Sequence, residues 1–118
     1  MSDWIHKEKA YTLENYKYAG EFLNQIDKLI VDKASKDVIQ AKYKNLKEWF
    51  KLEYHKVSKY KNDGGYLSQW YAPMITDIYV TSLDMAKTNY TVEKIKVAIF
   101  DALAHYGYWD GMLRNYEK

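Results

Sequence analysis

The sequence predicts an all-α fold: a single-domain, antiparallel four-helix bundle-like array with short loops. Apolar residues recur at steps of three and four in four successive segments, the period of a helix with one buried face. Only one proline and five glycines occur in 118 residues, and four of the glycines fall outside those segments. The length suits one domain over residues 1–118, without an internal repeat or a linker long enough to divide it.

The first helix is expected over residues 12–33. Thr12 is the candidate N-cap, with Glu14 in the first turn. Tyr16, Ala19, Leu23, Ile26 and Ile30 form its inward stripe, which Tyr11, Tyr18, Phe22 and Leu29 widen. Glu14, Lys17, Glu21 and Lys28 lie opposite with alternating sign.

The second helix, residues 37–61, starts at Ser35 or Asp37 and carries Ile39, Tyr43, Leu46, Phe50, Tyr54 and Val57 on one face. Asn62-Asp63-Gly64-Gly65 is a firm stop. The third, residues 72–87, places Pro73 in a first turn, where its missing N–H costs little. Tyr66 to Tyr71 forms an approach turn or short helix. Ile75, Ile78, Tyr79, Ser82 and Ala86 face inward, while the β-branched run from Ile75 to Val80 is the one stretch that also reads as a strand.

Thr91 caps the fourth helix, residues 91–106, with Glu93 in its first turn. Val92, Ile95, Ile99, Leu103 and Tyr106 share one face. Val97, Phe100, Ala104 and Tyr108 make a second stripe well round the helix, leaving Lys94, Asp101 and His105 as a narrow polar strip. A helix apolar on two sides is either central in its domain or pressed against a partner. Gly107 is expected to end or kink it, with residues 109–116 adding a short helix.

Composition narrows the function. The absence of cysteine removes disulfide frameworks, thiolate nucleophiles and zinc ribbons. The N-terminus opens polar, unlike a signal peptide, and no run approaches the roughly 20 apolar residues of a membrane span. The expected location is the cytoplasm, or the host cytoplasm for a viral protein. The bases are 17 Lys and a single Arg, and Tyr and Asn are abundant, a bias that AT-rich coding produces.

Three constellations are candidates for contact. Lys44, Lys47, Lys51, His55 and Lys59 fall on one arc of the second helix, and residues 42–61 carry seven lysines against Glu48 and Glu53, a local +5. Such a face suits phosphate backbone or an acidic protein surface, although Glu48 interrupts it. Aromatic contact candidates flank the breakers: Tyr66, Trp70 and Tyr71 before Pro73, and Tyr108 and Trp109 between Gly107 and Gly111. Val97, Phe100 and Ala104 are the self-association candidates.

Asp101 and His105, one turn apart, read as an orienting pair. No nucleophile, metal-ligand spacing or phosphate loop accompanies them. The expectation is a non-enzymatic binding module without cofactor or metal that acts by protein–protein contact, with self-association through the last helix. Its small size and AT-rich bias fit a phage or mobile-element accessory protein that inhibits a host machine. The alternative is a nucleic-acid-binding or viral structural protein that uses the lysine-rich face.

Overall fold

A computed structural model describes residues 2–59, 65–83 and 91–117, with side chains from Lys7 onward. Four helices form the body: α1 (Ser2–Val31), α2 (Lys36–Val57), α3 (Ala72–Asp77) and α4 (Val92–Glu117). Two π-helical stretches flank α3: π1 (Leu67–Tyr71) and π2 (Ile78–Leu83). No strand occurs among the described residues, so the run from Ile75 to Val80 is helical.

Side-chain pairings give the direction of each helix. Tyr11 meets Glu53 and Tyr18 meets Trp49, so α2 runs against α1. Tyr43 reaches Leu83 and Tyr54 lies on Tyr79, which turns the third segment back along α2. Asp77 bonds His105 and Ser82 bonds Asp101, so α4 is antiparallel to that segment. Lys9 pairs with Glu117 and Tyr106 with Tyr16, which closes α4 onto α1. The result is an up-down-up-down bundle. Its long dimension of 49 Å follows from α1, whose 30 residues span about 45 Å at 1.5 Å each.

The core is built from the expected stripes, to which the structure adds Met74 and Ala102. Ala19, Leu23 and Ile26 of α1, Tyr43, Leu46 and Phe50 of α2, Met74, Ile75 and Ile78, and Ile95, Ile99 and Ala102 of α4 are all buried. Ser35 caps α2 by accepting from the Val38 N–H, and the Thr91 hydroxyl accepts from the Lys94 N–H. Lys33 ends α1 with φ of 59°. Its N–H donates to the Ile30 carbonyl and that of Ala34 to Leu29, a Schellman closure.

The boundaries differ from expectation in three places. First, α1 begins ten residues early, and Thr12 is a fully buried interior residue instead of a cap. The first turns show no apolar stripe because their inward positions are Glu8 and Thr12. Glu8 accepts from the Leu67 N–H and Tyr11 donates to Glu53, so polar bonds hold this stretch to the body. Second, α4 does not stop at Gly107. Tyr106, Trp109 and Leu113 anchor it on both sides of that glycine, and the packing offsets roughly 1 kcal/mol of unfavourable propensity. Third, α2 ends at Val57, short of residue 61. The Asn62-Asp63-Gly64 part of the expected stop, Ala86 and the expected end at Lys87 lie outside the described residues.

Pro73 stands in the first turn of α3 as expected. The Ala72 N–H donates five residues back, to the Leu67 carbonyl. A proline ring crowds the carbonyl four residues before it, and a widened turn moves that carbonyl aside.

Candidate interaction surface

The outer side of α4 is where sequence and structure converge. Val97 is 69% exposed, Phe100 78%, Tyr108 61% and Met112 45%. Ala104, Gly107 and Gly111 are exposed between them. The steps from 97 to 100, 104, 107–108 and 111–112 keep these residues on one face. The opposite face buries Ile95, Ala98, Ile99, Ala102 and Leu113. The helix is therefore not central. Its second stripe faces outward, and Val97, Phe100 and Ala104 form one apolar strip. Other exposed apolar side chains, such as Val31, Val38 and Leu52, belong to other helices.

The aromatic candidates separate. Tyr71 is fully buried and donates to Glu53 Oε1 at 2.6 Å, so it is core, not contact surface. Trp109 is half-buried, and its Nε1–H donates to Asp77 at 2.9 Å, so it ties α4 to α3. Tyr66 and Trp70, both half-buried, lie against Tyr116, with ring centroids 6.0 and 5.2 Å away. The Tyr66 hydroxyl also donates to Glu117, and desolvation together with that carboxylate raises its pKa to about 12. Among the five candidates, Tyr108 alone presents a largely exposed ring, set edge-on to Trp109 at 5.5 Å.

On α2, Lys44, Lys51, His55 and Lys59 are exposed, and Lys47 is half-buried. They share the face that helical spacing gives them, and Glu48 is exposed among them. Tyr66 and Trp70 are engaged with Tyr116 of α4, which leaves the lysine face without a stacking ring from that cluster.

Two polar clusters sit inside the bundle, and the sequence reading missed the central acid of each. Glu53 is buried on α2 and accepts from Tyr11, Tyr71 and Lys56 at 2.9, 2.6 and 2.8 Å. Burial raises its pKa, but the Lys56, Tyr71 and Tyr11 bonds and the Lys56 charge outweigh burial and hold it below the ordinary value. Asp77 accepts from His105, Trp109 and Thr81. Here too burial is outweighed, by the Trp109, His105 and Thr81 bonds and by the His105 charge, and the pKa falls. His105 therefore binds Asp77 at 2.8 Å more closely than the expected Asp101 at 3.7 Å. Asp101 instead accepts from Ser82 at 2.6 Å. These bonds latch α4 to the third segment. Glu53 fills the step between Phe50 and Val57 on the stripe of α2, and that position is the one sequence signal of its burial.

An open groove of about 700 Å³ runs between α1 and α4 over Tyr16, Gly20, Tyr106 and Leu113. Its rim carries both signs of charge, from Lys17, Glu21, Asp110 and Arg114. Among the described residues, no three His, Asp or Glu side chains gather into a metal-binding group, and no helix is long and apolar enough to cross a membrane.

Fold and surface together define an all-α helical-bundle domain with an apolar outer face on α4. Comparison with protein-family models, curated proteins and solved structures finds no match to the chain.

Proposed function

We propose that this chain is a helical binding module that works by protein–protein contact through the outer face of α4. The observation that supports the reading is the exposure of Val97, Phe100, Tyr108 and Met112 along a single helix face. Contiguous exposed apolar surface marks interaction sites in proteins otherwise covered by polar groups. Exposed aromatics of this kind supply much of the energy of interface centres.

The test is affinity capture from the native host with the full chain, with and without nuclease. Wild type is expected to retain a protein partner after nuclease treatment, Phe100→Glu to lose it, and Lys47→Glu with Lys51→Glu to keep it. Capture abolished by nuclease and by the lysine pair, but untouched by Phe100→Glu, would transfer the function to the basic face of α2.

A further inference from the structure

The shape of the exposed α4 face matches that of its own reverse. Bulky side chains occupy the N-terminal half, Val97 and Phe100, while Gly107 and Gly111 fall in the C-terminal half. At both glycines the space a Cβ would enter has nothing within 4 Å. Ala104 lies midway. If a second α4 runs antiparallel about Ala104, residues whose numbers sum to 208 come opposite each other. Val97 then meets Gly111, and Phe100 meets Tyr108 beside Gly107. Bulk fills space at both ends, and two aromatic pairs form in the middle.

Charge selects the same arrangement. Glu93 and Asn115, both exposed, close the two ends of the face. Antiparallel pairing sets Glu93 opposite the neutral Asn115 of the second copy, twice by symmetry, while Arg114 stays paired with Asp110 of its own helix at 2.8 Å. Parallel pairing would instead stack Glu93 on Glu93, and would put Phe100 against Phe100 with glycines facing glycines across a gap. Between Val97 and Gly111 the strip at 97, 100, 104, 107, 108 and 111 is itself uncharged, and Asp101 at its edge is held by Ser82 at 2.6 Å.

The area is sufficient for a modest interface. Aromatic side chains present about 150–250 Å² each, so Phe100 and Tyr108 together contribute roughly 250 Å². With Val97, Ala104, Met112 and the flanking Glu93 and Asn115, the face approaches about 600 Å² per copy, the low end of specific interfaces.

We infer that the partner of the α4 face is a second copy of this chain, docked antiparallel through Ala104 into a two-fold dimer. This rests on the contact reading of the same face. The natural absence of cysteine makes the geometry testable. Ala104→Cys brings two thiols together on the axis, within the reach of a disulfide, and is expected to cross-link on addition of diamide. Val97→Cys and Gly111→Cys are each expected to stay uncoupled alone and to couple when mixed. Sedimentation equilibrium is expected to show a dimer that Phe100→Glu weakens at least tenfold. Phe100 lies outside the core, so the circular dichroism of that variant should match wild type.

A chain that stays monomeric at high concentration overturns the inference, as does self-coupling of Val97→Cys. A monomer whose Phe100→Glu variant still loses a captured host protein would overturn only the dimer and keep the contact reading. A chain indifferent to Phe100→Glu in both sedimentation and capture would overturn both.

Discussion

Glu53 sits on the inward stripe of α2 between Phe50 and Val57, where an ionised side chain is tolerated only if it is paired. It is paired three times, to Tyr11 on α1, Tyr71 on π1 and Lys56 on its own helix. Replacing it with alanine leaves two tyrosine hydroxyls without their acceptor and opens a hole. Glu53→Ala should lower stability by about 2–4 kcal/mol, read as a fall in the urea midpoint.

Gly20 is a second residue with a specific duty. A Cβ there would lie 2.5 Å from the Tyr106 hydroxyl, which crosses α1 to donate to the Tyr16 carbonyl at 2.8 Å. Gly20→Ala is thus expected to destabilise wild type by about 1 kcal/mol, as crowding exceeds the gain in helix propensity. In a Tyr106→Ala background the same change should stabilise, and a double-mutant cycle measures that reversal. Neither duty was legible beforehand. Gly20 reads as an ordinary gap beside Ala19, and Glu53 as one more surface charge, because both roles depend on groups far away in sequence.

At the scale of elements, local chemistry was a good guide wherever the relevant partners are neighbours in sequence. Ser35, Thr91 and Pro73 act at the positions their types suit, because capping and ring geometry operate within one turn. The inward stripes of α1 and α2 were likewise visible in their spacing. Local rules failed at Thr12 and Gly107, where distant contacts override them. The Schellman closure of α1 uses Lys33 in the left-handed region, with φ of 59°, although a non-glycine residue is strained there. Lys33→Gly should therefore raise stability by about 0.5–1 kcal/mol, measurable as a higher melting temperature with an unchanged helical spectrum.

For the molecule as a whole, Glu53 and Asp77 are two of the acids that join helices, and both have depressed pKa values. A carboxylate with a folded pKa below its unfolded one adds stability that is fully present above the unfolded value and is lost as pH falls through the folded value. The unfolded values lie near 4.5 and 3.8. The protein should hold its stability above about pH 5 and lose it progressively below pH 4.5. Denaturation midpoints measured from pH 3 to pH 7 check this, and Glu53→Gln with Asp77→Asn should flatten the acid limb. Phe100→Glu, on the outer face, should leave the same curve in place.

The amino-acid sequence by itself determined the helical class, most of the inward stripes, the caps at Ser35 and Thr91 and the two-sided apolar pattern of the last helix. Those features arise from spacing and from interactions within a turn or two. Only the tertiary structure decided which of those apolar and aromatic residues reach water. Tyr71 and Phe100 look alike in sequence, each a ring on an amphipathic segment. Tyr71 is buried because Glu53 and Tyr11 converge on it from two other helices. Phe100 stays outside because α1 and π2 cover the opposite side of α4 and none of the described elements covers its own. Burial depends on what the neighbouring helices cover, and it was the arrangement of four helices in space that left one apolar face of α4 in solvent.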